Sequence, residues 1–171
     1  MALQMIPKDE HLPLIVPAET DFDGKEFLDA PHIRTVANEL IRNKECFAHL
    51  EHSSIVYLWK KAGGKSQGKP ILGKVQATSP LTRFFSETQF IMMLSADHLF
   101  LYGEGQGKIP HKFAEALVFH ELCHLGWDAE KGQVEIQGHQ YEGFFAEIEQ
   151  YGIWRTELAE LHQTMKQMDL L

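Results

Sequence analysis

Fifteen consecutive residues from His111 to Leu125 contain neither Gly nor Pro, and only Lys112, Glu115 and Glu121 among them carry a full charge. Phe113, Ala114, Ala116, Leu117, Val118, Phe119, Leu122 and Leu125 would spread nearly all round a helix built from this run. That pattern marks a helix enclosed by its domain rather than resting on the surface. Pro110 stands where a first helical turn tolerates it. Gly126 stands where a left-handed residue ends many helices. A helix that is apolar on every side obliges the rest of the chain to cover it. At 171 residues the chain can bury roughly 70% of its unfolded surface around one core, so a single domain over residues 1–171 is expected.

The covering elements are legible in outline. From His32 to Asn43, Ile33, Val36, Ala37, Leu40 and Ile41 recur at three- and four-residue spacing and predict an amphipathic helix. Strands are predicted at 54–60, 71–78 and 89–95; the nearly continuous apolar run of the third suits a strand covered on both faces. Helices are predicted at 140–151 and 155–168, the second with a packing stripe of Leu158, Leu161, Met165, Met168 and Leu171. Pro7, Pro13, Pro17 and Pro31 make residues 1–31 an extended, irregular lead-in. The fold class that follows is α+β: a short mixed sheet of about three strands packed on the buried helix, flanked by N- and C-terminal helices.

Composition excludes several classes. Hydrophobic residues at 44% and charged residues at 23% are those of a globular chain. The net charge of −8 works against wrapping nucleic acid, which needs clustered Lys and Arg to displace counterions. No run approaches the ~18–20 apolar residues of a membrane span. The N-terminus lacks a basic region followed by an apolar run, so a cytoplasmic location is expected. Cys46 and Cys123 are too few for a disulfide framework and are expected to be free thiols.

The buried helix also carries chemistry. His120, Glu121, Leu122, Cys123 and His124 spell H-E-x-x-H. Histidines four apart project from one helix face and can converge on one Zn²⁺. Glu121, about 100° further round, is placed to take a proton from a water beside the metal. Hydrogen-bonded core histidines are the plain alternative, but two His and a Glu inside a buried helix are costly unless paired or bound. Cys123 occupies the free position of the motif and reads as an apolar filler. A catalytic zinc needs a third ligand and an open position. The metzincin continuation is absent. His139, after Gly138 at the opening of the next helix, is the favoured third ligand; Glu142, one turn on, is the alternative, or else a partner orienting a ligating histidine.

His120 to Asp128, then Gly138-His139-Gln140-Tyr141-Glu142-Gly143-Phe144, then Glu147 to Trp154, together resemble the phage metallopeptidases, minimal zincins distantly similar to SprT-like proteases. Ile55 to Leu58 and Leu72-Gly73-Lys74 extend the likeness over about two thirds of the chain. Gln140 and Gly143 stand where the family pattern has Asp and the second of two Glu. The resemblance implies a zincin-like fold, a Zn²⁺ cofactor on His120, His124 and His139, Glu121 as catalytic base, peptide or protein substrates, and the cytoplasm of a phage host. A non-catalytic, metal-stabilised binding or regulatory protein of phage origin is the alternative, and a hydrolase of non-peptide amides a third reading.

Weaker signals complete the inventory. Gly63 to Lys69 nearly writes a phosphate-binding loop, but Pro70 replaces the metal-binding hydroxyl and a strand follows instead of a helix, so a hairpin loop is expected. Tyr141, Tyr151, Trp127 and His98 are candidate donors to a developing oxyanion. His11, His32, His49, His52, His111 and His162 lack ligand spacing and are expected to be solvated. The strand at 89–95 is the expected edge for an extended substrate.

Overall fold

The structure, a computed structural model, describes residues 12–102, 107–139 and 145–167. In chain order these form β1 (Leu14–Ile15), β2 (Phe27–Asp29), α1 (Pro31–Asn43), β3 (Ile55–Lys60), β4 (Lys65–Ser66), β5 (Lys69–Pro70), β6 (Gly73–Ala77) and α2 (Pro80–Ser86). They continue as β7 (Phe90–Ser95), α3 (Ala96–Tyr102), β8 (Lys108–Ile109), α4 (His111–Cys123), β9 (Leu125–Asp128), β10 (Gln133–Ile136), α5 (Phe145–Tyr151) and α6 (Thr156–Gln167). The domain is α+β. Residues 140–144 and 168–171, which hold parts of the two predicted C-terminal helices, lie outside the described residues, as do Tyr141, Glu142 and His11.

Helix α4 is the organising element. Ten of its thirteen residues are buried, His120 and Glu121 among them. Covering comes from α1, α5 and strand β6. The main sheet has the order β2-β3-β7-β6, with β3 and β7 parallel from Ile55 beside Phe90 to Lys60 beside Ser95, and the outer strands antiparallel to their neighbours. Met92 and Leu94 of β7 are completely buried, as their apolar run predicts.

Several expectations are corrected. The main sheet has four strands rather than about three, because Phe27–Asp29 from the lead-in pairs with β3; Leu14–Ile15 pairs with β8 in a separate two-stranded sheet. The lead-in is therefore partly built into the domain, and its Phe22 is fully buried. Strand β7 is interior, with β3 on one side and β6 on the other, so β6 and β2 are the edges. Helix α4 ends at Cys123, and Gly126 lies in β9 rather than in a left-handed cap. The reason for a glycine there is steric: a Cβ on Gly126 would come within 2.5 Å of the Gln137 side chain. The β9–β10 hairpin closes on an Asx turn in which Asp128 Oδ1 accepts from the Glu130 and Lys131 amides, with Gly132 at φ +63°.

The Gly63–Lys69 segment is a hairpin, as expected. Gln67 and Gly68, both with positive φ (50° and 80°), form the two-residue turn between β4 and β5. Helices α2 and α3 fall outside the periodicity argument, although Ser79 caps α2 by accepting from the Thr82 amide and Pro80 opens it. No helix among the described residues is long and apolar enough to cross a membrane.

Phe119 shows how tightly α4 is held: it packs edge-on to Phe47 and Tyr151, with centroids 4.8 and 5.2 Å away. Phe119→Ala should lower unfolding free energy by about 3–5 kcal/mol, read by urea denaturation; a loss under ~1 kcal/mol would mean that α4 is not the centre of the core.

Candidate metal centre

The C-terminal end of α4 presents His120 and His124 one turn apart, and the stretch after β10 returns His139 to them. One ring nitrogen from each of the three lies within 4.8 Å of the others. Nε2 of His120 and Nε2 of His139 are 3.1 Å apart. Ligand atoms about 2.0–2.1 Å from a tetrahedral zinc sit roughly 3.3 Å from each other, so the spacing fits. His120 is buried, His124 half-buried and His139 exposed, which leaves the group open to solvent on one side. Three imidazoles gathered in this way could hold a metal ion among the described residues.

The opposite nitrogens are anchored. His120 Nδ1 donates to Glu147 Oε2 at 2.6 Å, and Glu147 is completely buried. His124 Nδ1 donates to the Gln137 carbonyl at 2.8 Å. A carbonyl oxygen only accepts, so the proton of His124 is fixed on Nδ1 and Nε2 is left with its lone pair; the carboxylate does the same for His120. Gln137 also binds the end of α4 twice over, its amide donating to the His124 carbonyl at 2.8 Å and its side-chain nitrogen to the Cys123 carbonyl at 2.6 Å. Burial holds the pKa of both His124 and His139 below the usual imidazole range, and mutual repulsion among the rings adds to it. Both rings are thereby kept in the neutral form that ligates metals.

Glu121 points into the same cleft. Burial pushes its carboxyl up to about 8, Glu147 adds to the rise, and the Arg155 guanidinium opposes it. A Cβ on Gly73, the first residue of β6, would collide with the Glu121 carboxylate. Gly73 is therefore what lets the sheet edge and the carboxylate approach. The cleft, about 630 Å³, is lined by His120, Glu121 and His139 together with His98, Arg155 and an apolar wall that includes Leu117.

The other candidates are divided between the cleft and the rest of the fold. His98 lines the cleft and its Nδ1 donates to the Ile71 carbonyl at 3.0 Å. The Tyr151 hydroxyl donates to Glu115 Oε1 at 2.7 Å, and Trp127 is half exposed on β9. His32 and His52 are exposed. His49 is not simply solvated: its Nε2 donates to the Leu125 carbonyl at 2.6 Å and ties the segment after α1 to β9. Buried Cys123 and exposed Cys46 are both free thiols. The residue that sequence reasoning undervalued is Glu147, one of several downstream acids; its signal was a place on a helix between the apolar Ala146 and Ile148.

Residues 25–168 match the family model described as "Putative phage metallopeptidase". The chain belongs to this family. No curated protein and no solved structure gives a significant match. The family match takes in α4, the β9–β10 hairpin and α5, the elements that assemble the three histidines and Glu147. Removing the anchoring carboxylate should weaken the centre without dismantling it. Glu147→Gln is expected to lower metal affinity about 10–100-fold, measured by competition with a chromophoric chelator; unchanged affinity would show that Glu147 does not orient the ligand.

Proposed function

We propose that this family member is a zinc-dependent peptidase in which His120, His124 and His139 hold Zn²⁺ and Glu121 is the general base. The observation that carries the reading is the meeting of three imidazole nitrogens, with two of the rings, His120 and His139, lining an open cleft beside the buried Glu121 carboxylate. A bound Zn²⁺ supplies Lewis acidity, polarising the scissile carbonyl and lowering the pKa of water to about 7.

The protein's own groups do the rest. Glu121 takes the proton of the attacking water and returns it to the departing amine. Its apolar surroundings favour proton transfer near neutral pH, since a base is most effective when its pKa lies close to the working pH. Strand β6 replaces β7 as the strand that receives an extended substrate, because it is an edge and begins against Glu121. His98 lines the cleft with its Nδ1 proton committed to Ile71 and its Nε2 3.7 Å from the Asp97 carboxylate. The exposure of His139 and the three converging groups among the described residues favour an enzyme over a metal-stapled binding protein.

In wild-type protein, hydrolysis of a fluorogenic peptide mixture should rise with pH as Glu121 ionises. The midpoint should lie above the ordinary carboxylate value of 4.5 and below about 8, because a bound metal ion favours the charged form. Glu121→Gln should cut the rate about 10²–10⁴-fold and abolish that acid limb while metal content is unchanged. Full hydrolysis by the Gln variant would overturn the assignment of the base.

A further inference from the structure

Helix α2 has no buried residue among its seven. Leu81, Phe84 and Phe85 are 68, 81 and 77% exposed. At spacings of three and four residues they share one face of the helix, and the Phe84 and Phe85 rings meet edge-on with centroids 5.2 Å apart. A helix this short does not persist in water by itself, so other bonds must fix it. Ser79 caps it by accepting from the Thr82 amide, the Ser86 hydroxyl donates to the Thr82 carbonyl, and the Arg83 guanidinium reaches back to the Thr78 carbonyl at 3.0 Å. Thr78 is buried, and its hydroxyl donates to the carbonyl of Thr88 beyond the other end of the helix. Polar bonds therefore hold α2 in one conformation while its apolar face stays in water, so little ordering is left for a partner to impose.

Arg83, on the opposite side of α2, lines a groove of about 830 Å³. The groove wall includes Ala77, Phe90, Val134, Trp127 and Ile136, of which Trp127 and Ile136 are 53 and 41% exposed. The surface thus has an apolar ridge beside a groove with apolar walls. An aromatic side chain buries about 150–250 Å² when covered, so the open parts of Phe84, Phe85 and Trp127 amount to roughly 300–500 Å², before Leu81 and Ile136 are added. One side of a stable dimer interface covers about 800 Å², of which about 65% is apolar in homodimers, or about 500 Å². The ridge and groove together supply that area.

We propose that this surface is the interface of a two-fold dimer in which the Leu81, Phe84 and Phe85 ridge of each copy enters the Trp127 and Ile136 groove of the other. A ridge and a groove on one surface are self-complementary under a two-fold rotation, so each contact is made twice and association closes at two. Ala77 at the groove and Gly73 beside Glu121 are the two ends of β6, about 13 Å apart along an extended strand. The interface and the metal cleft therefore occupy opposite ends of that strand.

The test is sedimentation equilibrium on the full chain between about 1 and 100 µM. A mass approaching twice the 19.6 kDa of one chain is expected. F84E/F85E, on a helix with no buried residue, should weaken self-association at least about 100-fold, and W127K at least about 30-fold, both with native far-ultraviolet dichroism. An equimolar mixture of the two variants should recover part of the dimer. In the mixture the intact ridge of W127K meets the intact groove of F84E/F85E, and the two substituted halves meet with opposite charges. A mixture that stays monomeric, a dimer that neither variant weakens, or a wild-type chain that is monomeric throughout overturns the proposal. For a monomeric wild type, uptake of the dye ANS leaves the ridge to a different protein, and no uptake assigns its cover to a segment of the same chain.

Discussion

The hydrogen bond from His120 to the buried carboxylate of Glu147 joins two helices, fixes a tautomer and places an ionisable pair in the core at the same time. A carboxylate with no exposed surface is expensive to bury alone, and so is an imidazole inside an apolar helix. Together they satisfy each other, and they tie α5 to α4 in the core, beside the Tyr151–Glu115 hydrogen bond between the same helices. Losing one partner would leave the other buried and unmatched, which costs more than the pair contributes. The geometry of the centre descends from that bond, because the ring orientation it sets decides where His120 Nε2 points.

The second anchor has a different character. His124 is held by a backbone carbonyl, that of Gln137, and the same residue closes the end of α4 through its amide and side chain. The β9–β10 hairpin exists to bring Gln137 and then His139 back to the helix they left. Gly126 is required on that path because the Gln137 side chain occupies the space of a Cβ. His139, two residues further on, completes the group on its solvent side. One histidine is thus set by the core, one by the helix end and one by a return loop, and burial falls off in that order toward solvent.

Much of this was legible in the sequence wherever the signal is local. The 3.6-residue pattern of Ile33 to Leu40, the β-branched and aromatic runs of β3 and β7, and the enclosed helix α4 carry their own periodicity, and the structure contains all of them. The H-E-x-x-H spacing, with His139 after Gly138, already named the three histidines that now cluster. What the sequence hid is non-local. Pairing of Phe27–Asp29 with β3, and the interior place of β7, depend on which strands meet, and no residue-level pattern states that. The apparent continuation of α4 to Leu125 failed because the backbone after Cys123 finds its partners in Gln137 and β10, a tertiary pairing that overrides a helical composition. Glu147 was visible only as one acid among several; its worth comes from total burial against a histidine 27 positions away.

The central claim is that His120, His124 and His139 act as one metal centre. Mass-spectrometric metal content of protein purified without a histidine tag or chelating resin, for wild type beside His139→Ala, tests it most directly. About one metal ion per wild-type chain, lost in the variant while its far-ultraviolet dichroism stays native, is the expected result. A wild-type chain that takes up no metal, or a variant that keeps the full complement, would contradict it and leave the three imidazoles as hydrogen-bonded residues of an ordinary core.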